Sequence, residues 1–247
     1  MVSIIIPNYN YSKFLHGCLR SCTEQTYKDI EIIVVDDCST DDSPTQLLQY
    51  AEADNRIRLL FLPNNSGYSK AKNEGIVKAK GEYVTFLDAD DMLTPKSVEW
   101  RVRAMMGNKD IDLAHGYCLK CHNDETYDWC LENIDSLERH KTFLHAQGIM
   151  VRRDVFKRFG LMFEGLRSKA DKEMWYRLGV HQDTPLPKLI KTKFIDKPMA
   201  FYRRHPLAMH KMRVENKAYN NEVERIFAKR IKQLQAEGIT EQNTRFQ

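Results

Sequence analysis

The chain is expected to fold as an α/β protein: a single doubly wound, mostly parallel sheet with helices on both faces. Three observations carry that expectation. Apolar runs of strand length recur at residues 2–6, 31–35, 56–62 and 83–87. Segments with helical periodicity separate them, and the connections are short and rich in turn residues. Right-handed crossovers then turn three β-α units and a fourth strand into a parallel sheet of the nucleotide-binding kind.

Val2-Ser3-Ile4-Ile5-Ile6 is the first strand, stopped by Pro7-Asn8-Tyr9-Asn10. A helix over 12–24 puts Phe14, Leu15, Cys18, Leu19 and Cys22 on one face. The second strand, 31–35, ends in Asp36-Asp37. Cap residues at 39–42 and Pro44 in the first turn start a helix running to about Ala53. After the third strand, Asn64-Asn65-Ser66-Gly67 is a turn, and a helix over 68–80 closes at Gly81. The fourth strand has β-formers at nearly every position and no charge, as burial requires.

Past Asp91 the rhythm weakens. A helix is expected over 95–106, a strand over 111–120 and irregular polar chain over 121–135. A short apolar stretch at 147–152 precedes a helical turn at 155–159, ended by Gly160. The segment 170–180 reads as a helix with Met174, Trp175 and Leu178 inward, and 192–201 as a strand. A helix over 215–235 carries Val223, Ile226, Phe227, Ile231 and Leu234 as its stripe, which suits packing on the domain better than a membrane surface.

With 247 residues, 42% apolar and 29% charged, the chain has the means for one sizeable core, and its net charge of +4 does not argue for nucleic acid. Positive charge is concentrated late: between Leu186 and Arg213 eight Lys/Arg face a single Asp. No stretch approaches the ~18 apolar residues of a membrane span, and the first strand begins without a leader. A cytoplasmic protein is expected, or one peripheral to a membrane. Six cysteines are read as reduced thiols. Cys118-Leu119-Lys120-Cys121-His122, with Cys130 beyond, offers half of a zinc pattern, but a second pair at standard spacing is missing. Free thiols in an irregular loop are expected there.

The chemistry gathers where the fourth strand ends. Asp88, Asp90 and Asp91 fall within four residues, and carboxylates so crowded repel unless they face a cation. Hard oxygen ligands suit Mg²⁺ or Mn²⁺, which commonly share their shell with substrate phosphates. Taken alone, so short and common a pattern reads more readily as a solvated acidic turn before a helix that starts at Thr94-Pro95.

Several stretches together resemble the family 2 glycosyltransferases with the GT-A fold. They are Ser3-Ile4-Ile5-Ile6-Pro7-Asn8-Tyr9-Asn10, the segment from Gln25 through Val35-Asp36-Asp37-Cys38-Ser39-Thr40-Asp41, and Asn65-Ser66-Gly67-Tyr68-Ser69-Lys70-Ala71-Lys72-Asn73-Glu74-Gly75. Gly81-Glu82-Tyr83-Val84-Thr85-Phe86-Leu87-Asp88-Ala89-Asp90-Asp91 follows and, more weakly, Ala170-Asp171-Lys172-Glu173-Met174-Trp175-Tyr176-Arg177-Leu178.

The resemblance implies a metal-dependent, inverting transferase that takes a sugar from a nucleoside-diphosphate donor. It implies one domain over 1–247, with a nucleotide-sugar-binding half at 1–95, an acceptor-side half at 96–213 and a C-terminal amphipathic helix at 214–247. Pro7 and Tyr9 would lie beside the base, and Asp37 would accept from its imide N–H, which favours uracil and a UDP-sugar. Gly67 would let the backbone approach the nucleotide; Lys70 and Asn73 would reach base or ribose. Asp88 would contact ribose or the metal's water shell, and Asp90 would ligate Mn²⁺ or Mg²⁺. Asp36 is read as structural, and Asp91 as either support for the cluster or a helix cap.

Inversion needs a base to deprotonate the acceptor hydroxyl. Asp171 falls on the family's base, although Ala170 replaces the usual Glu, and Glu173 is the runner-up. Tyr202-Arg203-Arg204-His205 resembles a late family stretch, so His205 is a further candidate metal ligand, with His210 behind it. The basic run around them fits a flap closing on phosphate, or contact with a polyanionic acceptor such as DNA or a phosphate polymer. Saccharide and lipid-linked acceptors stay open, as does a nucleotide-sugar-binding protein without transfer.

Overall fold

The computed structural model describes residues 1–140, 144–166, 170–181, 183–206 and 217–237. Strands β1 (Val2–Asn8), β2 (Ile30–Asp36), β3 (Ile57–Phe61) and β4 (Tyr83–Phe86) alternate with helices α1 (Ser12–Thr23), α2 (Ser43–Ala53) and α3 (Tyr68–Lys78). Then follow β5 (Met92–Leu93), α4 (Ser97–Met106), β6 (Leu113–His122) and α5 (Tyr127–Glu132). A 3₁₀ turn at Ala146–Gly148 leads into β7 (Ile149–Arg152), and α6 (Arg153–Phe159), α7 (Ala170–Arg177), β8 (Thr192–Arg204) and α8 (Lys217–Glu237) complete the order.

The eight strands lie in the order β3-β2-β1-β4-β7-β6-β8-β5. Its first four are mutually parallel, β7 runs against both β4 and β6, and β8 is parallel to β6. Residues alternate across β1 as a strand requires. Ile4 and Ile6 join Leu15 and Leu19 of α1 in one core, while Ile5 joins Ile76, Phe86 and Trp175 in the other. The second contact is close, because a Cβ at Gly75 would stand 2.4 Å from Ile5 Cγ2, so α3 rests directly on β1.

Two buried charges brace the sheet. Glu31 accepts from Ser3 Oγ at 2.6 Å, Lys80 N at 2.6 Å and Arg58 Nη1 at 2.7 Å, tying β2 to β1, β3 and the turn before β4. Arg101 of α4 donates to Thr85 Oγ1 at 2.7 Å and Ile149 O at 2.5 Å, stapling β4 to β7; burial lowers its pKa to about 9.

The second half differs from expectation in detail. The segment 121–135 is not wholly irregular: β6 runs on to His122, and Thr126 caps α5 by accepting from Trp129 N at 3.2 Å. Strand β8 runs three residues past the expected end, because Arg203 and Arg204 continue its pairing with Cys121 and His122. The final helix packs through Phe227, Ile231 and Leu234 against Leu166, Tyr176 and Leu186. No helix among the described residues is long and apolar enough to cross a membrane.

Candidate active site

The carboxyl ends of β1, β2 and β4 open side by side, and each delivers polar residues as its strand stops. At the end of β1, Asn10 takes a positive φ of 58° and its Oδ1 accepts from Thr40 N at 2.8 Å. That bond joins the β1 loop to the β2 loop. Asp36 is structural, accepting from Asn8 Nδ2 at 2.7 Å and from Ser39 N at 2.9 Å. Asp37 accepts from Ser66 N and Gly67 N, each at 2.7 Å, and so fixes the loop that starts α3. Gly67 has φ 91° and open space where a Cβ would stand. Pro7 is buried at the end of β1, while the ring of Tyr9 is 42% exposed above it.

Past β4 the chain turns on Asp88, whose carbonyl accepts from Asp91 N at 2.9 Å. The carboxylates of Asp88, Asp90 and Asp91 converge, with oxygens all within 4.8 Å of one another. Gln147 bridges two of them, and each has a further partner of its own. Asp88 accepts from Tyr68 Oη at 2.8 Å and Gln147 Nε2 at 2.8 Å, and pairs with Lys72 Nζ at 3.2 Å. Asp90 contacts His205 Nε2 at 2.9 Å. Asp91 is buried and accepts from Gln147 Nε2 at 2.5 Å and from Arg203 N at 2.7 Å.

The electrostatics follow from that crowding. Burial, then the charges of Asp90 and Asp88, push Asp91 well above the usual carboxylate range. Burial and the same carboxylates push up the phenols of Tyr11 and Tyr202. Among the described residues, the orphaned His205 Nδ1 is buried without a hydrogen-bond partner. An oxygen-rich, over-negative cluster with an imidazole on Asp90 is a donor set that fits Mn²⁺ or Mg²⁺. Asp88, Asp90 and His205 are the residues that would hold it, with Asp91 beneath.

The other sequence candidates fall in several places. Asp171 sits half-buried in the first turn of α7, and its charge joins those of Asp88 and Asp90 in raising the Tyr68 phenol, behind burial. Glu173 is excluded as a base by its surroundings: it is fully buried, paired with Arg177 Nε at 3.1 Å and 3.6 Å from Arg230 Nε. Lys70 and Asn73, expected at base or ribose, both have protein partners. Asn73 is buried, donating to Met162 O and accepting from Met162 N, both at 2.9 Å, and Lys70 pairs with Glu74 at 3.0 Å. Asn73 secures α3 to the loop before α7, where Lys70 also stands 3.6 Å from Glu164. His210 lies outside the described residues.

Among the described residues the late basic run is not one patch. Thr192 pairs with Leu113 at the start of β6 and Arg203 with Cys121 near its end, eight steps of β6 apart, so β8 spreads the run over roughly 26 Å. Lys188, Lys191 and Lys193 stand at the end of β8 remote from the carboxylates, and Arg203 is buried, donating to Asp90 O at 3.0 Å.

Tyr68, Lys72, Gln147 and Arg203 are the site residues that pattern reading missed. Lys72 had a signal, lying four residues from both Tyr68 and Ile76 on the buried face of α3. Gln147 had none.

Residues 3–160 match the family described as Glycosyl transferase family 2. The putative teichuronic acid biosynthesis glycosyltransferase TuaG of Bacillus subtilis is 30% identical over 182 residues, covering 72% of this chain and 71% of TuaG. The glycosyltransferase GlyG of Streptococcus pneumoniae serotype 4 is 40% identical over 116 residues, 47% of this chain and 38% of GlyG. An uncharacterized glycosyltransferase of Haemophilus influenzae is 38% identical over 121 residues, and the chain covers 48% of its length. Among solved structures, S. aureus TarS in complex with UDP-GlcNAc superposes with TM-score 0.68 at 20% identity, covering 92% of this chain and 65% of TarS. The mannosyltransferase PcManGT from Pyrobaculum calidifontis, in complex with GDP-Man and Mn²⁺, gives 0.63 at 20% identity, covering 86% and 59%. Both share the GT-A fold.

Proposed function

Since the chain belongs to glycosyl transferase family 2, we propose that it moves a sugar from a nucleoside-diphosphate donor, UDP-linked, to an acceptor hydroxyl with inversion. The observation that carries this reading is the convergence of Asp88, Asp90 and Asp91 beside the Asp37–Gly67 loop. A divalent ion bound there, Mn²⁺ or Mg²⁺, would supply Lewis-acid neutralisation of charge on the leaving diphosphate. The complexes of TarS with UDP-GlcNAc and of PcManGT with GDP-Man and Mn²⁺ support the donor class.

This chain's residues do the rest. Each Asp37 oxygen spends one lone pair on the loop, which leaves a second to accept the imide N–H of uracil. Tyr9 offers its exposed ring to the base, and Gly67 gives the nucleotide room against the backbone. Tyr68 and Lys72 hold Asp88 in place, as His205 holds Asp90. Asp171 takes the acceptor's hydroxyl proton as the new C–O bond forms on the face opposite the departing diphosphate. Helix α7 keeps that carboxylate in position through Arg177, which donates to Leu161 O at 2.8 Å and to Phe159 O.

A panel of UDP, GDP, CMP and dTDP sugars in a thermal-shift assay, with and without Mn²⁺, tests the reading. The UDP species should give the largest rise, and only with metal. A rise with CMP alone and without metal would overturn the donor assignment.

A further inference from the structure

We propose that Cys121, Glu125 and Cys130 form a second metal site, soft and thiolate-rich, that takes Zn²⁺. Their ligand atoms all lie within 4.8 Å of one another. Tetrahedral zinc with bonds of about 2.3 Å to sulfur needs ligand atoms roughly 4 Å apart, so closure asks for only a small adjustment. Both thiols are free and buried. The Cys-x-x-Cys spacing is not the chelating unit. Cys118 packs with Met150 and Ala200 in the core under α1, whereas Cys121 packs with Cys130, Tyr127 and Phe201 in a separate cluster. Three residues apart on a strand, the two cysteines face opposite sides of the sheet.

The site is already shaped. Glu125 Oε2 accepts from His122 N at 2.6 Å, which folds its carboxylate back over the loop toward the sulfurs. Arg203 Nη1 donates to the carbonyls of His122, Asn123 and Glu125 at 2.9, 3.1 and 2.8 Å. Two thiolates and a carboxylate would be balanced by a dication together with that guanidinium. Soft sulfur ligands select zinc against Mg²⁺ and Mn²⁺, which the all-oxygen cluster prefers, so the two sites sort their ions by chemistry. Three protein ligands leave zinc's fourth tetrahedral position to water; bound there, zinc would join the end of β6 to α5 and rigidify the loop clasped by Arg203, whose N and Nε hold Asp91 and Asp90.

Cobalt titration of the reduced full chain tests this apart from any sugar transfer. The Asp90→Asn chain serves as background, to silence the oxygen site. One equivalent of Co²⁺ should give thiolate-to-cobalt charge transfer and tetrahedral d–d bands, displaced by Zn²⁺ and untouched by excess Mg²⁺. The bands should survive Cys118→Ser and vanish in the Cys121→Ser/Cys130→Ser chain. Glu125→Gln, which keeps both thiols, should weaken zinc on the order of tenfold or more in chelator competition. Absence of the bands in the reduced, folded chain overturns the proposal. So does their persistence without Cys121 and Cys130, or a peptide map in which these two cysteines are joined as a disulfide in the protein as isolated.

Discussion

Asp171 and Glu173 stand two residues apart, and their surroundings assign them opposite work. Asp171 is half-buried beside the Tyr68 side of the acidic cluster, whereas Glu173 is sealed against Arg177 and Arg230. Asp171→Asn should therefore keep donor binding and lose about 10²–10⁴-fold in turnover, read as product formed against a binding isotherm. Glu173→Gln should instead leave buried guanidinium charge uncompensated and cost about 3–5 kcal/mol in denaturant unfolding. Lys72 carries a third expectation. Replacing its ammonium by Met removes the one cation paired with Asp88 among the described residues, so repulsion within the cluster grows. Lys72→Met should melt lower than wild type without metal, and gain more than wild type on adding Mn²⁺. An equal Mn²⁺ response in both chains would contradict this. These roles were unevenly legible in sequence. The Asp-x-Asp at a strand end announced itself, but a buried lysine looks like a surface lysine until the helix is rotated onto its sheet. Asn73 shows the same limit, since its amide bonds to Met162, a partner 89 positions away that no local pattern encodes.

At the scale of elements, Glu31 is the clearest lever. Burial alone would raise its pKa, yet the hydrogen bonds from Ser3, Lys80 and Arg58 prevail and hold it below the usual carboxylate range. A carboxylate with a lowered folded pKa stabilises the protein above its unfolded pKa of about 4.3, and that gain is lost as pH falls through the folded value. Wild type should thus exceed Glu31→Gln by about 1–3 kcal/mol near neutral pH, with the gap closing in acid. A gap that stays constant down to low pH would count against the tether. Strands β1, β2 and β4 were readable because each is a mostly apolar run buried along its whole length, and the edge strand β3 because its apolar residues still outnumber its single charge. The turn of α5 was not, because its polar residues conceal only Tyr127 and Cys130 as buried positions. Strand β5, two residues long, exists only through its pairing with Phe201 and Ala200, contacts that no local pattern encodes.

Across the whole molecule, the parallel strands bring the Asp37 loop, the acidic turn after β4 and the start of α3 to one edge. Beyond β4 the antiparallel β7 and the long β8 return Gln147, Arg203 and His205 to that same edge from positions 56 to 115 residues distant from their partners. Such long-range closure is invisible to periodicity, which explains why the first 95 residues read clearly and the remainder did not. It also means that every carboxylate of the cluster is held by a residue from another element, with the negative charge still in excess. The decisive measurement is calorimetric titration of UDP into wild type and Asp90→Asn, each with and without Mn²⁺. Binding is expected in wild type only with Mn²⁺ and should fall away in Asp90→Asn, with melting curves showing both chains folded. Equal UDP affinity in all four titrations would contradict a cation held by Asp90 as the grip on the donor.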